Sequence, residues 1–393
     1  MEVTRIARVG QAERTHMAAT VSWDALRDLA GFRAAKGLAV SLYLDLDPSR
    51  APSPGDVATR AHALLSDAAK QLDRGELTHD QRLGLKADLE HIEHYVQDEL
   101  VRDGAHGLAV FTSELDNLWR PLALTESVPD AVKVESVLFL TPLVPLVGRG
   151  EGALVAVVGR ERGELFRLHA GRLEPIVDRT EDQPGKHDQG GWSQARFQRH
   201  IEHLVHEHLE RVAEVLARRV RRRAECIVVV ATEETRAAFD DLLTKEVREA
   251  IVGWTTAEAH AGPTELLAVA TPVLEAWRAR EEERAVERWR AEAGRNGRAA
   301  SGWAATLEAA SDGRVELLLY RNGVEYPAWR CPSCGRLAAS DGTCPLDGTR
   351  MDRTEEGLDL AVHHTLSNGG TVWAVTTRQD LDPVEGIGAL LRY

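Results

Sequence analysis

The sequence predicts an α/β protein of three domains. Length alone allows two or three, since 393 residues exceed what one ordinary core holds. An apolar share of 43% is ample for packed cores. Short apolar runs rich in β-branched residues alternate with longer stretches of helical periodicity along the whole chain.

The first segment, residues 1–147, opens with a helix over Trp23 to Ala35 and a strand over Leu38 to Asp45. A Pro/Ser-rich loop follows at Pro48 to Pro54, then helical patterns over Val57 to Leu72 and Arg82 to Leu100. Gly107 to Phe111 and Leu118 to Leu124 read as strands. The segment is an α/β domain without a catalytic motif. Asp45 and Asp47 close a strand, where polar residues are ordinary and a metal site is the lesser reading.

The second segment spans 148–271. Ala153 to Val158, Gly163 to His169 and Leu173 to Val177 are three short strands in succession, a meander with Gly171 in one turn. A polar loop, Glu181 to Gly191, leads into a long helix. Strand Ile227 to Val230, a helix near Glu234 to Leu243, strand Glu249 to Thr255 and a further helix complete it. A meander followed by alternating elements fits a mixed, RNase H-like layer. The stretch 272–299 is a charged connector helix in which Leu274, Trp277, Val286 and Trp289 keep roughly helical spacing. The third segment, 300–393, carries strand Val315 to Tyr320, a turn at Asn322-Gly323, and a cysteine-rich insertion at 329–350. Helix Glu355 to Ser367, strand Thr371 to Val375 and a glycine-rich end close the chain.

Composition narrows the function. No run of eighteen uncharged apolar residues exists, so no membrane span is expected. Met1 to Ala19 lacks an apolar core like that of a signal peptide, Met17 is an alternative start, and a cytoplasmic location is expected. A net charge of -14 argues against a general nucleic-acid binder. Between Pro184 and Arg223, however, nine Lys/Arg stand against five Asp/Glu, with five of the fifteen His. A basic element on an acidic body can meet RNA at one place.

The informative stretch is Lys186-His-Asp-Gln-Gly-Gly-Trp-Ser-Gln-Ala-Arg-Phe-Gln-Arg-His200. Gly190 and Gly191 free the backbone for close approach, and Ser193 is placed to cap the following helix. Phe197, Ile201, Leu204, Val205, Leu209, Val212, Leu216 and Val220 form one apolar stripe on it. Three readings compete: a surface loop capping an amphipathic helix, a histidine metal site, and a polar loop inserted into RNA with the basic helix on phosphates. No carboxylate pattern completes the histidine site.

The loop resembles the glycine-glycine-glutamine loop of eukaryotic and archaeal release factors, Lys-His-x-x-Gly-Gly-Gln-Ser-x-x-Arg-Phe-x-Arg. It matches without gaps at Lys186, His187, Gly190, Gly191, Ser193, Arg196, Phe197 and Arg199. The ending Gly386-Ile-Gly-Ala-Leu-Leu-Arg-Tyr393 is similar to the Gly-Ile-Gly-Gly-Ile-Leu-Arg-Tyr of the same family's third domain. The resemblance implies membership of the release factor and Pelota superfamily, in its bacterial branch, with an L7Ae-like third domain. It implies action in the ribosomal A site on peptidyl-tRNA, with rRNA as a partner, a translational GTPase as a further one, and a monomeric chain.

Two departures matter. Trp192 stands where the family has its glutamine, and the nearest glutamine, Gln194, is two residues on. In the family that loop helps water attack the peptidyl-tRNA ester. Here Gln194 would position the water, Gly190 and Gly191 would give access, and Lys186, His187, Arg196 and Arg199 would contact RNA. The Asn-Ile-Lys-Ser codon motif has no counterpart between Pro48 and Leu100, so stop-codon reading is not expected. Bacterial relatives include proposed rescue hydrolases and the hibernation factor Balon, so rescue by hydrolysis and non-catalytic A-site occupancy both stand.

Cys226 lies in an apolar run and reads as a small buried hydrophobe. Cys331-Pro-Ser-Cys-Gly335 and Cys344-Pro-Leu-Asp-Gly348 repeat one turn, with Asp347 in place of a fourth cysteine. Facing each other, Cys331, Cys334, Cys344 and Asp347 would hold zinc as a closed structural site, a zinc ribbon.

Overall fold

The computed structural model describes residues 21–73, 77–102, 104–147, 152–169, 171–176, 194–222 and 226–393. The described residues form two compact units, 34–136 on the one hand and 21–33 with 137–393 on the other. Helix α1 (Trp23–Ala30) thus belongs to the second unit, where it packs on a helix far downstream, rather than to the first segment as its sequence position suggests. It also stops earlier than expected, at Gly31.

The first unit is a four-stranded antiparallel sheet. Strands β1 (Ala39–Asp45), β2 (Gly107–Ser113), β3 (Leu118–Leu124) and β4 (Ala131–Glu135) lie in the order β3-β2-β1-β4. β1 and β2 are buried along their whole length, as apolar runs of this kind require. Helices α2 (Pro54–Ala69) and α3 (His79–His94) pack on the sheet, and each starts at a capping box. Ser53 Oγ accepts from the Asp56 N–H at 3.2 Å while Asp56 accepts from the Ser53 N–H at 2.9 Å. Thr78 and Gln81 repeat the arrangement. The strand-end carboxylates are structural: Asp45 pairs with Arg50 at 2.9 Å and also accepts the Asp47 N–H.

The second unit holds two further sheets. In the first of them β5 (Leu154–Val158), β6 (Gly163–His169) and β7 (Arg172–Pro175) form the meander expected from the sequence. β8 (Ile227–Val230) and β9 (Ile251–Thr255) add in parallel, giving the order β7-β6-β5-β8-β9. Alternate residues of β5 and β8 serve two cores. Leu154, Ala156, Ile227 and Val229 meet α4 (Gln194–Arg222), α5 (Glu233–Asp240) and α6 (Lys245–Ala250). Val155, Val157, Val228 and Val230 meet α7 (Pro263–Gly294). Glu249 and Ala250, expected in a strand, close α6 because Thr244 caps a helical turn there.

α7 is longer than the connector read from the sequence and is not confined to one core. Leu266, Ala270 and Leu274 are buried in the core just described, whereas Val286 and Trp289 are buried in the next. That core lies under the third sheet, β10 (Ala299–Ser301), β11 (Val315–Arg321), β15 (Thr371–Val375) and β16 (Ile387–Leu391), ordered β10-β16-β11-β15. Helices α8 (Trp303–Ser311) and α9 (Gly357–Ser367) also pack on this sheet. Between β11 and α9 the insertion forms its own small sheet of β12 (Ala328–Arg330), β13 (Leu337–Ala338) and β14 (Asp352–Thr354). Among the described residues no helix is long and apolar enough to cross a membrane.

The C-terminal glycines are packing devices. Gly386 has φ +70°, and a Cβ there would lie 2.5 Å from Val324 Cγ2. At Gly388 a Cβ would lie 2.6 Å from Nε1 of Trp289, whose indole lies against β16 and donates to Ala300 O at 3.0 Å.

Gly388→Ala should therefore lower unfolding stability by about 1–3 kcal/mol through overpacking. Gly342→Ala, at a site with open space around it, should be near neutral in the same thermal unfolding experiment. A second prediction concerns Asp88, 2% exposed beneath β2, where burial pushes its carboxyl up to about 6. Thr112 Oγ1 and the Glu114 N–H donate to it at 2.6 and 2.9 Å and only partly offset that burial. Because the folded pKa lies above the unfolded one, this group's contribution is fully present at low pH and declines as pH rises toward 6. In urea unfolding, Asp88→Asn should gain about 2 kcal/mol relative to wild type between pH 4 and pH 7. A difference that does not vary with pH would contradict this account.

Candidate functional sites

α4 begins at Gln194, directly after the glycine-bearing loop. Lys186, His187, Gly190 and Gly191 lie outside the described residues. Gln194, Arg196 and Arg199 fall on the first turns of α4, but their side chains lie outside the description. Among its described side chains, Leu209, Ala213, Leu216 and Ala217 are buried against β5 and β8, with Val205, Val212 and Val220 packed alongside. Leu204, expected in the apolar stripe, is 48% exposed. β6 approaches α4 closely enough that a Cβ on Gly163 would lie 2.7 Å from Val212 Cγ2. The described histidines of the opposite face are wet. His203 pairs with Glu207 at 3.3 Å and His206 with Glu210 at 3.4 Å, one helical turn apart, which leaves no ligand cluster on that face among the described residues.

The second site is the pair of knuckles. The ligand atoms of Cys331, Cys334, Cys344 and Asp347 all lie within 4.8 Å of one another. Two turns with the same hydrogen bonds bring them together. The Gly335 N–H donates to Cys331 O at 2.9 Å, and the Gly348 N–H to Cys344 O at the same distance. Cys331 N donates to Arg336 O and Cys344 N to Thr349 O, both at 2.8 Å. Each turn needs a left-handed residue, supplied by Gly335 (φ +78°) and Gly348 (φ +72°). A strand bridge between Thr343 and Arg350 closes the second knuckle.

The donor spacing suits a tetrahedral ion. Cys334 Sγ and Cys344 Sγ are 3.5 Å apart, and Cys331 Sγ lies 3.5 Å from Asp347 Oδ2. A metal–sulfur bond of about 2.3 Å places tetrahedral ligands about 3.8 Å apart. The charges are arranged for a cation as well. The Thr349 N–H, donating to Asp347 Oδ1 at 2.9 Å, holds that carboxyl well below its usual range. Burial disfavours the Cys331 thiolate, yet the Cys334 and Ser333 N–H groups outweigh it and lower the pKa. The Arg336 N–H favours the Cys334 thiolate, but burial and its sulfur neighbours push it up to about 11. A dication among these groups removes that mutual repulsion. The four residues could hold a metal ion. Cys331 and Cys344 are buried with Met351 in a small core under the site, so the arrangement is closed on that side. Sequence reasoning found the ligands and both glycines but passed over Thr349, although Asp followed two residues later by an N–H donor is a turn signature.

Residues 139–278 match the profile of bacterial archaeo-eukaryotic release factor family 10, a range that takes in the meander, the loop and α4. Peptide chain release factor subunit 1 of Methanopyrus kandleri is 31% identical over 214 residues, 52% of this chain and 51% of that protein. The chain thus spans about half the length of that relative. The corresponding factor of Archaeoglobus fulgidus is 24% identical over 389 residues, 90% of this chain and 92% of that protein. Among solved structures, an archaeal translation termination factor is 18% identical and covers 95% of this chain and 99% of its own, with a TM-score of 0.26. The middle of the chain is thus similar to a bacterial branch of the archaeo-eukaryotic release factors, and most of its length to archaeal release factor subunit 1.

Proposed function

We propose that this chain is a cytoplasmic, monomeric factor that enters the ribosomal A site and rescues stalled ribosomes by hydrolysing peptidyl-tRNA. The observation that carries it is the ungapped loop match at Lys186, His187, Gly190, Gly191, Ser193, Arg196, Phe197 and Arg199, inside the stretch that matches the family profile. The relatives named above are peptide chain release factors. In this reading the middle sheet is RNase H-like and the C-terminal sheet L7Ae-like. α4, seated on the sheet through Leu209 and Leu216, carries the loop at its N-terminal end. Gly190 and Gly191 let the loop approach the ester, and Gln194 orients the attacking water. Lys186, His187, Arg196 and Arg199 hold rRNA and tRNA phosphates, and a translational GTPase delivers the chain.

Ester hydrolysis at this site needs a positioned water and prepared electrostatics, most of which rRNA supplies. One observation favours a second reading. Trp192 occupies the position of the family's glutamine, so a non-catalytic factor that occupies the A site of idle ribosomes is the alternative.

We assign the knuckle site to zinc in a structural role, because a three-sulfur, one-carboxylate tetrahedron without an open position suits that ion. Protein purified without chelators should carry about one zinc per chain by elemental analysis. Cys331→Ser should lose the ion and destabilise the ribbon. Wild-type protein that binds no zinc on titration would remove the assignment.

Peptide release from stalled, A-site-empty ribosomes tests the catalytic reading. Wild type should release peptide, and Gln194→Ala should slow release on the order of a hundredfold while leaving ribosome binding intact. Equal release by Gln194→Ala would sink the role given to that residue. An inert wild type together with release by Trp192→Gln would favour occupancy.

A further inference from the structure

The same knuckles carry chemistry beyond ion binding. The three sulfurs are not equivalent. Cys331 is fully buried and faces Asp347, whereas Cys334 is exposed and its sulfur lies 3.5 Å from that of Cys344. A disulfide needs sulfurs about 2.05 Å apart, so an approach of about 1.5 Å, within reach of small side-chain rotations, joins this pair. Peroxide oxidation follows thiolate character together with exposure; Cys334 is the exposed sulfur of the three, and a bound cation favours its thiolate.

We propose that Cys334 and Cys344 form a peroxide-reactive pair whose oxidation to a disulfide expels the ion held by the knuckles. This rests on the zinc assignment above. The Cys334 sulfur attacks the O–O bond of a hydroperoxide. An S–O bond forms, the O–O bond breaks, and the leaving oxygen departs as an alcohol or, from hydrogen peroxide, as water after taking a proton. The Cys344 thiolate then attacks the sulfenic sulfur; the S–S bond forms and hydroxide leaves, taking up a proton to become water. Two thiolates lose two electrons in all, and the peroxide gains them.

Asp347 makes the outcome definite. Because the fourth ligand is a carboxylate, one disulfide consumes two of three sulfurs and leaves Cys331 with Asp347, a sulfur and an oxygen that together hold zinc weakly. No second disulfide can follow within the site. The ribbon is then tied to the third sheet's helices by contacts that do not need the ion, among them Leu337 N donating to Ser311 Oγ at 2.9 Å and Arg336 pairing with Asp312 at 2.6 Å.

The experiment treats full-length, zinc-loaded protein with stoichiometric hydrogen peroxide. Released zinc is read with a chromophoric chelator, and disulfides are mapped by mass spectrometry of non-reduced peptides. One zinc should leave per Cys334–Cys344 disulfide formed, and thiol reduction should restore binding. Cys334→Ser should slow release at least tenfold, whereas Cys226→Ser should behave as wild type. If Cys334→Ser does not retain zinc, the disulfide map of the wild type decides alone. A Cys331–Cys334 bond, or zinc retained while the thiols become sulfinic acids, would overturn the proposal. Protein that carries no zinc before treatment defeats the metal assignment by itself, and the disulfide map still tests the pair.

Discussion

A single buried carboxylate ties the second unit together. Glu282, 2% exposed at the middle of α7, accepts the N–H groups of Thr376 and Thr377 at 3.2 and 2.9 Å and both threonine hydroxyls at 3.2 and 2.6 Å. A carboxylate taken out of water is costly unless its lone pairs are filled, and here four donors fill them. They come from the chain just beyond β15, so the end of the third sheet is fixed to the helix that also packs under the middle one. Arg378 extends the junction outward, bonding Asp380 and Glu287. The consequence is that a helix shared by two cores has one rotational setting: turning it to improve either contact would break the Glu282 shell.

The two family-like motifs therefore have different physical meanings. Gly386 and Gly388 exist for backbone conformation and for the close seat of Trp289, and they explain themselves without a ligand. The glycines at 190 and 191 have no such account in the described residues.

Much of this was legible beforehand. The meander over residues 154–175 and β8 follow from short apolar runs bounded by glycine and charge, and α2 and α3 from apolar spacing. The knuckles were readable because a repeated turn demands glycine at one offset, wherever the ligands vary. What failed has common causes. β10 has three residues, too few for periodicity to register, and the Thr244 cap starts a helical turn where the sequence reads as strand. Leu204 fits the stripe by spacing yet is exposed, while its neighbour Val205 packs on the core. Glu282 is invisible in sequence, one glutamate among many on a charged helix, and only tertiary partners distinguish it. The loop positions and the side chains of Gln194, Arg196 and Arg199 stay at the level of sequence argument, since they lie outside the described residues.

The placement of α1 bears on how the chain comes to be folded. Its partner, α9, leaves the ribosome more than three hundred residues later, and residues 34–136 of the first unit emerge between the two. During synthesis α1 has amphipathic character but nothing to bury it against, and an eight-residue helix is too short to persist alone. The first unit can therefore close its own sheet early, while α1 stays undocked until α9 has been made. Docking of α1 becomes a late, long-range event, and a nascent chain stalled before α9 would carry that exposed segment as its most vulnerable feature.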